Sequence, residues 1–126
     1  MGLCNKKPGK KKWLFGDGDL PPVGNNPDFE GHEALMVTNL TGKKAVIKVT
    51  VIFDDKPAKK GLSFSVEAER IVCLRLDKPC FDQQYQIPAG QYALYLESKV
   101  PVCAVFGRLD VRQTNMAYYA VSGVSR

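Results

Sequence analysis

The feature that most constrains the fold is the stretch Val100–Asn115, VPVCAVFGRLDVRQTN, in which an apolar segment runs directly into a polar one. Val100–Phe106 is uncharged and rich in β-favouring residues, which predicts a buried strand. If the strand continues without a bulge, its period of two places Arg108, Asp110 and Arg112 on one face, about 7 Å apart. A carboxylate then stands between two guanidinium groups.

This polar row has two interpretations. It forms an internal ladder of ion pairs at a strand end, or it forms a site for a polyanion or a polyol, because the planar arginine fork suits carboxylates and phosphates. Gly107 leaves the facing of the row open, since a glycine inside a strand often marks a bulge that reverses which face the later residues occupy.

Alternation of apolar and polar residues predicts further strands. It is clearest in Ala45–Phe53, where Ile47, Val49, Val51 and Phe53 are expected to face inward. The glycine- and proline-rich Gly16–Pro27 is predicted to be a loop, and so is Asp77–Gln91, and a turn is expected at Ser98–Lys99. The count is about eight short strands without an amphipathic helix, which predicts an all-β fold: an antiparallel β-sandwich or small barrel.

The charge distribution suggests one domain preceded by a tail. The chain has 126 residues, with 18 basic and 13 acidic side chains. Five of the lysines lie in Met1–Lys12, so the rest of the chain has 13 basic and 13 acidic residues. We therefore expect a flexible basic tail, residues 1–12, before a neutral domain, residues 13–126. The tail is either a solvated extension or an electrostatic handle for anionic lipid or nucleic acid.

Other functional classes find little support in the sequence. No apolar run reaches the length of a membrane span and no secretory signal is evident, so we expect a cytoplasmic protein. The four cysteines form no close pair and His32 is the only histidine, so neither a metal site nor a cysteine–histidine catalytic pair is expected. No cofactor is predicted.

Several short motifs, taken together, resemble the sensory rhodopsin transducer family over nearly the whole of residues 12–121. The resemblance rests on these positions: Trp13, Asp17-Gly18, Pro21-Pro22-x-Gly24, Phe29, His32-Glu33, Asn39, Val100-Pro101-Val102 and Arg108-Leu109-Asp110-x-Arg112-Gln113. It implies a soluble cytoplasmic β-sandwich that assembles into a homotetramer and has no established catalytic activity. It also implies a small-molecule ligand of sugar-like type and a membrane receptor of rhodopsin type, and a role in DNA binding has been raised for the family.

The residues suited to such a ligand are predicted to form one site. Sugar sites combine an aromatic face with bidentate donors and acceptors. The candidates are Trp13, Asp17, His32, Glu33, Arg108, Asp110, Arg112 and Gln113. Structural roles are the alternative: Trp13 as a core or interface anchor, His32 as a strand-end residue facing away from Glu33, and the polar row as an interface network.

Three functions are compatible with these residues. The favoured one is a non-enzymatic, signal-transducing or small-molecule-binding oligomer. The alternative is a nucleic-acid- or membrane-associated regulator that uses the basic tail, which the neutral domain disfavours. A third is a glycoside-cleaving enzyme with Glu33 and Asp110 as acid and base, for which the sequence fixes no separation.

Overall fold

The computed structural model describes residues 7–21, 31–110, 117–121 and 123–126. These residues form eight antiparallel β-strands in one domain, in which apolar and polar side chains alternate. No helix occurs among these residues, so none of them forms an apolar helix long enough to cross a membrane. The strands are β1 Lys10–Leu20, β2 His32–Asn39, β3 Ala45–Phe53, β4 Lys59–Val66, β5 Arg70–Arg75, β6 Gly90–Asp110, β7 Ala117–Val121 and β8 Val124–Ser125.

The long strand β6 organises the fold, because it belongs to two sheets. The first sheet has the order β4-β3-β6-β1-β8, and the second consists of β5, β2, β6 and β7. The apolar inner faces of both sheets contribute to one buried core. The all-β antiparallel prediction is confirmed. The described strands form a sandwich whose sheet does not close into a barrel.

The turn expected at Ser98–Lys99 is wrong, because β6 runs through these residues. The three residues of β1 from Lys10 to Lys12 lie opposite the six residues of β6 from Glu97 to Val102, so β6 bulges here. The Ser98 hydroxyl donates to the carbonyl of Val100 at 2.6 Å, and its oxygen accepts the Val100 amide at 3.2 Å. The turn-forming residues therefore bend one strand as it passes from the first sheet to the second.

The loop predicted for Gly16–Pro27 is wrong for its first part, since β1 continues to Leu20. A register shift between Phe15 and Gly18 accommodates the glycine-rich sequence within the strand. The start of β1 also differs from expectation, because Lys10, Lys11 and Lys12 lie in the strand, and the amides of Lys11 and Lys12 donate to the carbonyl of Arg126. Residues 22–27 of the predicted loop lie outside the described residues.

The inward face of the strands follows the predicted period of two. Ile47, Val49 and Val51 are buried and Phe53 is half-buried. The pairing of β6 with β2 continues without a register shift past Gly107, so this glycine marks no bulge. Arg108 consequently shares the inward face with Phe106 and lies inside the sandwich.

Candidate functional site

A buried ion pair joins the two sequence motifs that lie farthest apart. Glu33 on β2 and Arg108 on β6 are direct cross-strand partners with both side chains on the inward face. The Arg108 Nε donates to Glu33 Oε2 at 2.6 Å across a separation of 75 residues in sequence. Glu33 is fully buried and the Arg108 side chain is 10% exposed, so this pair is inaccessible from the Glu33 side.

The Glu33 carboxylate has further donors on both oxygens. The Tyr92 hydroxyl of β6 donates to Oε1 at 2.6 Å, and the backbone amide of Asp19 on β1 lies 3.1 Å from Oε1 and 3.0 Å from Oε2. A buried carboxylate saturated in this way cannot approach a substrate or activate a water molecule. The geometry therefore argues against the glycoside-cleaving function with Glu33 and Asp110.

Burial and charge fix the protonation of the donors around Glu33. Burial raises the pKa of the Tyr92 phenol well above its ordinary value, and the adjacent carboxylate raises it further. Burial alone would lower the pKa of Arg108, but the hydrogen bond and charge of Glu33 outweigh this effect and raise it. Tyr92 is thus a neutral donor and Arg108 a permanent cation.

The raised pKa of Tyr92 predicts a specific loss of stability at alkaline pH. The unfolded tyrosine ionises near pH 10 while the folded one stays protonated, so the contribution of Tyr92 is complete below about pH 10 and is lost as the pH rises further. We expect Tyr92→Phe to reduce this alkaline slope. The variant should also be about 1–3 kcal/mol less stable at neutral pH, because it leaves Glu33 one donor short.

Urea unfolding from pH 7 to pH 11 measures both effects. The control is Tyr118→Phe, which removes the hydroxyl of an exposed tyrosine. Equal alkaline slopes in the two variants would contradict the account.

The outer side of Arg108, away from Glu33, consists of its terminal nitrogens, whose partners are exposed although Arg108 itself is buried. Its two terminal nitrogens donate to the Tyr119 hydroxyl on β7 and, at 2.7 Å, to the Asp17 carbonyl on β1. The Asp17 carboxylate lies 3.9 Å from the same guanidinium and its side chain is 74% exposed. The Tyr119 ring centroid lies 5.3 Å from the guanidinium carbon. Among the described residues, three of the five arginine N–H groups have hydrogen-bond partners.

Only part of the predicted site comes together here. Asp17, Glu33 and Arg108 meet, and Asp110 is half-buried on the same face of β6, two residues beyond Arg108. Arg112 and Gln113 lie outside the described residues, so their roles stay predictions.

Trp13 and His32 lie elsewhere. The Trp13 indole donates to the carbonyl of Val102, six residues before Arg108 and thus about 20 Å away along β6. Its ring stacks on Phe15, as expected for an anchor of the core. His32 is half-buried and lies on the face of β2 opposite to Glu33, as the strand period predicts. Its electrostatic effect favours the ionised form of the Asp77 carboxyl group. Burial raises the pKa of Asp77, but the fork of Arg75 and the field of His32 lower it overall.

Asn39, which also carries the motif pattern, has a structural role at the end of β2. Its buried amide donates to the carbonyls of Lys43 at 2.7 Å and Val66 at 3.1 Å, and its side-chain oxygen accepts the Thr41 amide at 3.0 Å. These bonds hold the turn between β2 and β3.

The sequence interpretation missed Tyr92 and Tyr119. The sequence could have identified Tyr92, because it precedes the inward-facing Leu94 and Leu96 at the strand spacing of two residues. A buried tyrosine needs a hydrogen-bond partner for its hydroxyl group.

Comparisons with known protein families and with solved structures point to the same family. A family model described as Anabaena sensory rhodopsin transducer matches residues 8–124. A crystal structure of Thermotoga maritima 1070 is similar with a TM-score of 0.80 and 28% identity, over 94% of this chain and 96% of that one. The structure of an Anabaena sensory rhodopsin transducer is similar with a TM-score of 0.68 and 25% identity, over 79% of this chain and 95% of that one. No curated protein matches the chain.

Proposed function

The chain belongs to the Anabaena sensory rhodopsin transducer family, and we propose that it is a non-enzymatic, signal-transducing protein that binds a small, polar, sugar-like metabolite. It acts as a soluble cytoplasmic homotetramer. The name of the family supports a membrane receptor of rhodopsin type as its partner.

The observation that carries the proposal is that the Arg108 guanidinium has a buried partner on one side and exposed partners on the other. Its inner Nε is bound to a carboxylate that has no exposed surface, whereas its terminal nitrogens point to the exposed Asp17 and to Tyr119. A guanidinium held rigidly from behind is preorganised for a ligand in front, because the entropy of ordering its side chain is already lost on folding. We therefore place the ligand on the outer side, at Asp17, Arg108 and Tyr119.

The three side chains provide complementary chemistry for a polyol or sugar acid. The guanidinium donates to hydroxyl or carboxylate oxygens, the Asp17 carboxylate accepts hydroxyl protons, and the Tyr119 ring offers a face for the C–H surface of a sugar. Asp110 lies two residues beyond Arg108 on the same face of β6. The mixture of one cation and one anion selects neutral or singly charged ligands over polyanions.

The position of Arg108 also links the site to the rest of the fold. Its side chain connects β1 through Asp17, β2 through Glu33 and β7 through Tyr119. A ligand that replaces the Asp17 carbonyl or the Tyr119 hydroxyl as partner of Arg108 changes how β1 and β7 are tied to the sandwich. Differential affinity for the two arrangements then converts binding into a conformational signal.

A thermal-shift screen with sugars, sugar acids and phosphorylated sugars tests the proposal. A ligand at 100 times its Kd adds about 2.7 kcal/mol to the stability of a protein that binds it only when folded. We expect a stabilising sugar or sugar acid whose effect is clearly reduced in Asp17→Asn and in Tyr119→Phe, to about 1.4 kcal/mol for a tenfold loss of affinity. Asp55→Asn, an exposed aspartate of the β3–β4 turn, is the matched control. Equal shifts in all variants would show that the ligand binds elsewhere.

A further inference from the structure

A groove rich in lysine lies at one end of the first sheet, far from the Arg108 cluster in the sandwich. It has a volume of about 740 Å³ and includes five lysines and one glutamate, an excess of four positive charges. The remaining residues of its wall are Val46, Ser98 and Val100. The lysines are Lys11, Lys12, Lys44, Lys48 and Lys99.

Strand register places the centre of this groove on the outer face of the sheet. Glu97 on β6 is the cross-strand partner of both Lys12 on β1 and Lys48 on β3, so one carboxylate stands between two lysines in a single row. Lys44 lies 3.8 Å from Glu67, but that pair is exposed and contributes little. Lysines gathered at this density repel one another, and an anionic partner relieves the repulsion.

The structure distributes the basic residues differently from the sequence-based prediction. The sequence predicts a neutral domain with a basic tail, yet Lys10–Lys12 belong to β1 and Lys11 and Lys12 line the groove beside lysines of β3 and β6. A domain that is neutral on average thus carries a basic face.

Exposed aliphatic side chains share the same outer face. Val46, Lys48 and Ile52 alternate on β3, and Leu14 follows Lys12 by two residues on β1. Val124 on β8 is the cross-strand partner of Leu14. Four aliphatic side chains of this face are exposed: Leu14 39%, Val46 54%, Ile52 40% and Val124 74%.

We propose that this outer face of the first sheet binds the surface of an anionic phospholipid bilayer. Lysines attract acidic headgroups at about 1 kcal/mol each, and the aliphatic side chains gain by leaving water at the headgroup boundary. The described wall of the groove has no arginine and no aromatic ring, the groups with which nucleic-acid sites grip phosphates and stack bases. This inference stands on the first sheet alone and is independent of the ligand proposed at Arg108.

Co-sedimentation with phosphatidylcholine vesicles, with and without phosphatidylserine, tests the proposal on the full chain. We expect salt-sensitive binding only to vesicles that contain phosphatidylserine. Lys12→Gln combined with Lys48→Gln should weaken it about 25-fold, since each lysine contributes about fivefold. The matched control, Lys56→Gln with Lys60→Gln in the β3–β4 hairpin, removes the same charge outside the groove and should retain most of the affinity.

Three results would overturn the proposal. The first is equal loss in both double variants, which would mean attraction by net charge alone. The second is absence of vesicle binding together with salt-dependent binding of a mixed-sequence DNA duplex, which would assign the face to nucleic acid. The third is a change of oligomeric state in Lys12→Gln with Lys48→Gln by light scattering, which would make the face a subunit contact.

Discussion

Glu33→Ala is expected to lower the free energy of unfolding by about 3–5 kcal/mol, the cost of leaving a buried charge without its partner. The substitution removes the carboxylate that Arg108 Nε contacts at 2.6 Å. It also leaves the Tyr92 hydroxyl and the Asp19 amide without their acceptor. Each of these losses acts in the interior, where water replaces the missing oxygen poorly.

Urea unfolding at pH 7 measures this effect against two controls. Glu67→Ala removes an exposed glutamate whose pair with Lys44 is also exposed, and it should change stability by no more than about 0.5 kcal/mol. Glu33→Ala combined with Arg108→Ala should cost less than the sum of the two single changes, because the second change removes the stranded charge. A Glu33→Ala effect as small as that of Glu67→Ala would contradict the proposed role of the ion pair.

Gly18→Ala is expected to cost about 1–3 kcal/mol through a steric clash. A Cβ at this position would lie 2.5–2.7 Å from three carbons of the Tyr92 ring. That ring cannot move aside easily, because it is buried and its hydroxyl is bonded to Glu33. The glycine in the Asp17-Gly18 motif therefore permits the close approach of β1 to the buried cluster.

Two other glycines provide the comparison for unfolding measurements. A Cβ at Gly107 would lie 2.5 Å from the hydroxyl of Tyr118, whose exposed side chain can swing away. A Cβ at Gly16 would meet nothing within 4 Å. Gly107→Ala and Gly16→Ala should thus change stability by no more than about 0.5 kcal/mol. Similar costs at positions 16, 18 and 107 would refute the steric argument.

The fold was predictable where the strand period is strong. The alternation in Ala45–Phe53 correctly identified the inward residues of β3. About eight strands were expected and eight occur among the described residues, although two of the expected strands are the single strand β6 and β8 was not predicted. The turn at Ser98–Lys99 and the loop from Gly16 were wrong for one reason. Local turn chemistry indicates that the backbone is irregular, but only partner strands decide whether the irregularity is a turn or a bulge within a strand.

The site was predictable in its residue types and less so in its geometry. The prediction grouped Asp17, Glu33 and Arg108, which do meet, because their chemistry and order match the motif pattern. It could not show that Glu33 is sealed inside while Asp17 is exposed, since burial depends on the pairing of β2 with β6 across 75 residues. Trp13 was grouped by the motif pattern and by its aromatic chemistry, but its register on β1 places its indole at the carbonyl of Val102 instead.

The most direct test of the central claim compares two tyrosines on opposite sides of Arg108. Calorimetric titration would use the sugar or sugar acid with the largest thermal shift, on the wild type, Tyr119→Phe and Tyr92→Phe. We expect Tyr119→Phe, on the outer side, to weaken binding about tenfold, as for one hydrogen bond next to a charge. Tyr92→Phe, on the sealed side, should bind with unchanged affinity despite its lower stability. The reverse order of affinities, or unchanged affinity in Tyr119→Phe, would contradict a ligand site on the outer side of Arg108.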